Sequence, residues 1–205
     1  PAPGVQLVVG GTGGFGFATA CHLAEIGATA IVVASRRGAV DEAAAARIAE
    51  LAATGVEIAV ETVDVGDLAS VEALVARVTA AMGPISGVWL TAMVLDDGLI
   101  SGLEPERVAA VLRPKIDGAI HLDRATRAQP IAHFVMFSSA TTLVGNPGQG
   151  AYVAANAWLE GFARRRRAEG LPALAVGWGA ISDVGVLARD AETAKKLERV
   201  TGVAG

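Results

Sequence analysis

The chain contains one tyrosine, Tyr152, within the stretch AYVAANAW at residues 151–158. A phenol can protonate an oxyanion as a general acid, but its ordinary pKa of about 10 lies well above a working pH. A cation within about 4–6 Å would lower that value by one to three units. Asn156, one helical turn further on, carries no charge, and the only lysine before residue 195 is Lys115. Acid chemistry at Tyr152 therefore requires a cation brought from elsewhere in the chain.

A second group of residues has the chemistry of a phosphate cradle. The run GGTGGFG (Gly10, Gly11, Thr12, Gly13, Gly14, Phe15, Gly16) follows the apolar run VQLVV at 5–9 and precedes helical text. Such a loop lets the backbone approach a pyrophosphate, whose charge a helix N-terminus stabilises. The GxGxxG pattern is weak alone, and its place between a first strand and a first helix strengthens it. The same glycines could instead serve only close helix-to-sheet packing. About 20 residues past Gly16, where an acidic side chain would bind the ribose hydroxyls of NAD, stand Ser35, Arg36 and Arg37. Two guanidiniums beside a hydroxyl suit a 2′-phosphate, so the expected cofactor is NADPH. Asp64 and Val65 are expected to flank the adenine, although Asp64 could merely cap the next turn.

Short apolar runs at 5–9, 30–34, 56–63, 86–90, 133–138 and 173–178 alternate with helical text near 14–26, 40–54, 68–82, 104–127 and 152–169. That alternation predicts an α/β fold, a Rossmann-like doubly wound parallel sheet with helices on both faces. Pro105 suits a first helical turn. Pro114 should kink or divide the 104–127 stretch, leaving Lys115 projecting from a bend. Beyond the sixth run the text is irregular, with one helical segment near 191–200 and no clear further strand.

With 205 residues the chain fits a single domain, and 52% hydrophobic but only 4% aromatic residues predict a core of Ala, Val, Leu and Ile. A net charge of −4 gives no reason to expect nucleic acid or an anionic membrane as partner. The basic run Arg164 to Arg167 is expected on the solvated face of a helix. The single cysteine, Cys21, cannot form an internal disulfide and reads as a small buried hydrophobe on the first helix. No apolar run approaches the ~20 residues that span a bilayer, and no signal-peptide layout opens the chain, so a cytoplasmic location is expected. No metal centre is expected.

Taken together, GGTGGFG, SRRG, LDDG (95–98), PKIDG (114–118), FSS (137–139) and PGQGAYVAANAWL (147–159) span nearly the whole chain in order. In these motifs the chain resembles the ketoreductase domains of modular and iterative type I polyketide synthases, relatives of the short-chain dehydrogenase/reductase superfamily. The resemblance implies that Lys115 is the catalytic lysine and Asn156 its partner, the two having exchanged places relative to free-standing reductases. Ser139 then corresponds to the catalytic serine and Ser138 to its structural neighbour, with a slip of one residue possible. NADPH would deliver hydride to a β-ketoacyl thioester on the phosphopantetheine arm of an acyl carrier protein.

Leu95, Asp96 and Asp97 imply a B-type domain giving the R alcohol, with Asp96 and Asp97 as ordinary turn residues the plainer reading. Val144 stands where tryptophan would mark the other type, and Ala154 where proline would imply epimerisation. Trp158 and Leu187, with the segment 181–187, are candidates for a lid, Trp158 being read more readily as helix packing. The resemblance also implies a preceding structural subdomain and neighbouring synthase domains, this chain being the catalytic part cut at both ends.

Val9 replaces a common threonine, LTAM (Leu90 to Met93) replaces a frequent HAAG, and GWGAI lacks the usual proline. Met93 is the departure expected to matter most, because glycine there admits the cofactor ribose; a shifted loop or weaker NADPH binding is implied. The AMVLDD loop looks more like that of iterative reducing synthases of the mycobacterial lipid type. Two readings of other classes compete: a redox-silent domain that holds cofactor or docks carrier protein, and an S-adenosylmethionine methyltransferase using the same glycine loop. The methyltransferase reading leaves Ser35, Arg36, Arg37 and the Ser139–Tyr152 spacing without a role.

Overall fold

The computed structural model describes residues 2–179. The chain runs β1 (Val5–Val9), α1 (Gly14–Glu25), β2 (Ala30–Ser35), α2 (Glu42–Ala53), β3 (Glu57–Thr62), α3 (Leu68–Met82) and β4 (Ile85–Leu90). A 3-10 turn (Ile100–Gly102) leads to α4 (Pro105–Leu112), α5 (Ile116–Ala125), β5 (His133–Ser139), α6 (Thr141–Val144), α7 (Gly150–Ala168) and β6 (Leu174–Trp178). The six strands form one parallel sheet in the order β3-β2-β1-β4-β5-β6. The winding reverses between β1 and β4, so their outgoing loops diverge and leave a crevice at the carboxyl ends of the strands.

Side-chain alternation divides the core between the two faces. Leu7 and Val9 of β1 pack with Leu74 of α3, Leu122 of α5 and Leu159 of α7, whereas Val8 packs on the other face with Leu23 of α1 and Leu51 of α2. The doubly wound sheet expected from the alternation is thus the one that forms. The inner strands β1, β4 and β5 are almost wholly buried, as is the interior of β2, but the edge strands β3 and β6 are half-exposed. The near-continuous apolar reading holds only where a strand has neighbours on both sides.

The 104–127 stretch is divided: α4 opens on Pro105 and ends at Arg113, Pro114 intervenes, and Lys115 is the N-cap of α5. The basic run needs a correction. Arg164, Arg165 and Arg167 are exposed, but Arg166 is only 2% exposed. Its guanidinium pairs with buried Asp123 of α5 and lies 4.0 Å from the Phe134 ring centroid. The helical period accounts for this, since Arg166 follows the buried Phe162 and Ala163 on the inward face of α7. Cys21 is partly rather than fully buried against the core, and burial raises its thiol pKa, which keeps it un-ionised. Trp158 stacks on Phe162 with ring centroids 4.9 Å apart, which is the packing reading. Leu187, the 181–187 segment and the helical segment near 191–200 lie outside the described residues.

Candidate active site

Three elements bring the sequence-predicted polar residues together at the carboxyl end of the sheet. Tyr152 and Asn156 lie one turn apart on α7, Ser139 ends β5, and Lys115 enters where Pro114 breaks the helix. Lys115 is 2% exposed, and its Nζ donates to the Phe137 carbonyl at 2.7 Å. The same ammonium lies 5.5 Å from the centre of the Tyr152 ring. The distant lysine therefore lies over the ring of the lone tyrosine.

Its electrostatic effect differs from expectation. Burial pushes the Tyr152 phenol above its ordinary value; hydrogen bonding by the Asn156 and Ser139 side chains opposes this, and the Asp97 charge adds to the rise. Lys115 is itself pulled down to about 7 by burial. The reason is geometric: the ammonium is engaged with a backbone carbonyl and the ring face, and the thioether of Met93 lies 4.0 Å from the phenol oxygen. In this state the phenol is a protonated donor rather than a lowered-pKa acid.

Strand alternation separates the two serines. Ser139 Oγ accepts from the amide of Thr141 at 3.2 Å and lies 2.9 Å from the Thr141 hydroxyl, on the side of the tyrosine. Ser138 points the other way and donates to Glu160 Oε1 at 2.9 Å. Ser139 is the serine whose side chain meets the Tyr152 phenol, whereas the Ser138 hydroxyl is committed to Glu160. Asn156 Nδ2 donates back to the Tyr152 carbonyl at 2.9 Å, and its Oδ1 is buried with no hydrogen-bond partner among the described residues. An orphaned buried acceptor suits a water or a donor arriving with a ligand.

A cleft of about 630 Å³ opens beside this cluster, between the β1 and β4 loops. It is lined by Gly10 and Gly13 to Gly16 of the glycine loop and by Ser35, Arg36, Arg37, Asp64, Val65, Met93 and Arg113, among others, whereas Gly11 and Thr12 are buried and do not line it. Gly10 has φ +87°, and a Cβ there would sit 2.6 Å from the Ala92 amide nitrogen. A side chain on Gly16 would strike the Gly10 carbonyl, so the loop and the start of α1 approach more closely than any other residue allows. Thr12 is buried, and Phe15 packs near Phe137 and Trp178 at centroid distances of 6.3 and 5.5 Å. Asp64 does cap its turn, accepting from Gly66 N at 2.9 Å, and lines the cleft as well.

Arg113 is a cleft residue that the sequence reading missed. Its guanidinium reaches Gly66 O at 3.2 Å and Asp64 Oδ2 at 3.4 Å, and Gly66 lacks the Cβ that would displace it. No local signal marks it, because its partners lie far upstream. With Arg36 and Arg37 it places three guanidiniums against the single carboxylate of Asp64 on the lining. That excess of positive charge, in a chain of net charge −4, fits a ligand carrying several phosphates.

The loop bearing Leu95, Asp96 and Asp97 is latched rather than free. Arg107 of α4 donates bidentately to Asp96, with Nε at 2.9 Å, and holds the Asp97 carbonyl. Gln149, just before α7, donates to Asp97 Oδ2 at 3.0 Å. Arg107 and Gln149 were not singled out in the sequence, and they convert a two-carboxylate turn into a fixed rim. Leu95 and Val144 face outward on that side of the site.

Residues 4–183 match the KR domain family. The chain is 45% identical over 179 residues to the mycoketide-CoA synthase of Mycobacterium tuberculosis (strain ATCC 25618 / H37Rv), which covers 87% of this chain and 4% of that protein. It is 41% identical over 184 residues to the phthioceranic/hydroxyphthioceranic acid synthase of Mycobacterium bovis (strain BCG / Pasteur 1173P2), covering 90% of the chain and 9% of the relative. The chain thus spans less than a tenth of these curated relatives. Among solved structures it is similar to A-type ketoreductases from a modular polyketide synthase, with a TM-score of 0.88 and 39% identity over 96% of this chain and 41% of that one. It is also similar to the ketoreductase from the first module of phoslactomycin biosynthesis in Streptomyces sp. HK803, with a TM-score of 0.88 and 34% identity over 95% of this chain and 45% of the other.

Proposed function

This chain belongs to the KR domain family, the ketoreductases of polyketide synthases and oxidoreductases of β-keto groups, and on that premise we propose that it reduces a β-ketoacyl thioester with NADPH. The observation that carries the proposal is the convergence of Ser139, Tyr152, Lys115 and Asn156 beside a cleft with an arginine-rich phosphate end. The glycine loop and the bare Gly10 and Gly16 positions fit a dinucleotide backbone, and Ser35, Arg36 and Arg37 fit a 2′-phosphate. Bound NADPH supplies the hydride. Asp64 and Val65, with Arg113 beside them, would take the adenine end.

The chain's own groups act on the ketone oxygen. Ser139, whose Oγ already accepts from Thr141, keeps its proton free to hydrogen-bond that oxygen, stabilising the negative charge it gains. Tyr152 donates a proton to the same oxygen, giving the alcohol and a tyrosinate. Lys115, buried against the ring, stabilises the tyrosinate, and Asn156 Oδ1 is placed to hold a water through which the phenol is reprotonated. The fixed Asp96–Arg107 rim supports selection of the direction of substrate entry, and with it the B-type, R-configured outcome without epimerisation. Two of the similar solved structures are of A-type enzymes, so this stereochemistry rests on Leu95, Asp96 and Asp97 rather than on those neighbours.

The proposal extends to an acyl carrier protein as the bearer of the substrate, and to a structural subdomain and neighbouring synthase domains as partners. The size of the relatives supports those partners. Among the described residues no helix is long and apolar enough to cross a membrane, and a cytoplasmic location is proposed.

Arg36→Ala tests the cofactor assignment. Loss of a charge-assisted bond to the 2′-phosphate should weaken NADPH about 10- to 100-fold and leave NADH nearly unchanged. Fluorescence titration of both nucleotides reads this directly, and an unaltered preference would refute the phosphate site. Met93→Gly tests the cleft from its other end. Met93 lines the cleft and touches Tyr152, so clearing its side chain should tighten NADPH binding by roughly threefold to tenfold. Equal or weaker binding would show that the thioether does not obstruct the cofactor. A wild-type chain that binds NADPH yet never oxidises it with a β-ketothioester would support the redox-silent reading.

A further inference from the structure

The acid and its partner ride on different elements: Tyr152 on α7, Ser139 at the end of β5. Their relative placement depends on what joins those two elements near the site. Tyr152, Asn156 and Glu160 follow one another at four-residue spacing and so share one face of α7. Glu160 Oε1 receives the Ser138 hydroxyl at 2.9 Å and the Thr142 hydroxyl at 2.9 Å. These donors lie on either side of Ser139, one at the end of β5 and the other in α6. A single carboxylate oxygen thus grips the turn that carries Ser139 at both of its ends.

Each hydroxyl has one proton and a second acceptor in range. Ser138 Oγ is 3.4 Å from the Asn156 carbonyl, and Thr142 Oγ1 is 2.9 Å from the Ser139 carbonyl. A carboxylate outcompetes a peptide carbonyl for both protons. Without it, Thr142 would fold back onto the Ser139 carbonyl within its own turn and the bond from the turn to Glu160 would be lost. The Ser139 side chain is set by that same turn, through the Thr141 amide and hydroxyl.

We propose that Glu160 is a positioning residue, which holds Ser139 at hydrogen-bonding height against Tyr152 by fastening the β5–α6 turn to α7. The inference rests on the reading of Ser139 and Tyr152 as a pair acting on one ketone oxygen. It adds a residue that touches neither substrate nor cofactor. Displacement of a reacting partner by about 1 Å can cost on the order of 100-fold in rate.

The test is a double-mutant cycle on the full chain, with the N-acetylcysteamine thioester of a β-keto acid as substrate and NADPH affinity measured by fluorescence titration. Glu160→Ala should lower kcat about 10- to 100-fold with NADPH Kd within about twofold of wild type. Glu160→Gln should stay within about threefold in kcat, because its amide oxygen still accepts both hydroxyls. Glu160→Ala combined with Ser139→Ala should be no slower than Ser139→Ala alone, since both changes remove the same contribution. A merely structural glutamate would give losses that multiply. Should Glu160→Ala not fold, the Ser138→Ala/Thr142→Val chain removes the same two bonds from the other side and must show the same non-additivity.

Full activity in Glu160→Ala, or multiplying losses, overturns the inference and leaves the role of Ser139 standing. Full activity in Ser139→Ala removes the reading of Ser139, and the inference falls with it.

Discussion

Tyr152→Phe should reduce turnover by about 100- to 10,000-fold, the range that a positioned general acid contributes, and leave NADPH affinity within a factor of about two. The substitution removes one oxygen from a half-buried ring whose immediate neighbours are the Lys115 ammonium and the Met93 thioether. It is not among the residues lining the glycine-loop cleft, so cofactor binding has no reason to change. Ser139 remains to hydrogen-bond the ketone, so a residual rate above the uncatalysed background is expected. Single-turnover oxidation of bound NADPH, followed by its absorbance, separates the chemical step from binding. Equal rates in the two proteins would take Tyr152 out of the mechanism.

Lys115→Met should be the second large loss, about 10- to 1,000-fold in kcat, because an ammonium over the ring favours the tyrosinate formed in the proton transfer, even though the resting phenol lies above its ordinary pKa. It also has a pH signature. Burial brings the Lys115 pKa down from its ordinary 10.5 to about 7, so the ammonium is present below that pH and lost above it. The value of kcat/KM for NADPH reports ionisations of the free protein. Its alkaline limb should therefore lie near pH 7 in the wild type and be missing from the residual activity of the methionine variant. A wild-type profile flat from pH 6 to beyond 9 would contradict the role.

Stability should move the opposite way. Between the folded and unfolded lysine pKa values the unfolded chain binds more protons, so burying the amine costs most below about pH 7 and nothing above about 10.5. Thermal unfolding should show the methionine variant gaining on the wild type at acid pH, with the gain fading as pH rises. The lysine is then kept for its charge at the expense of stability.

How much of this was legible before any coordinates depends on the range of each interaction. The glycine loop could be read because part of its requirement is local: Gly10 has a positive φ and Gly16 lies against the Gly10 carbonyl, while the approach of Thr91 and Ala92 to Gly10 is set only by the fold. Pro114 could be read as a break for the same reason, since a missing amide ends a helix wherever the fold places it. Arg113, Arg107 and Glu160 were not legible. Each acts through partners on other elements, Gly66, Asp96 and Ser138, which no periodicity links to them. The basic run misled because a charge count does not say which of four arginines meets Asp123.

The amino-acid sequence alone determined the alternation that winds the sheet, the glycine loop, the paired arginines after β2, and the fact that any lysine for the lone phenol before residue 195 had to be Lys115. Packing decided the rest: that Ser139 rather than Ser138 faces Tyr152, that Lys115 lies over the ring and binds the Phe137 carbonyl, and that the phenol pKa rises instead of falling. The physical reason is that conformational preferences are spent within a few residues of chain. A pKa or a shared hydrogen bond depends on burial and on atoms a few ångströms away, and only the completed fold supplies those.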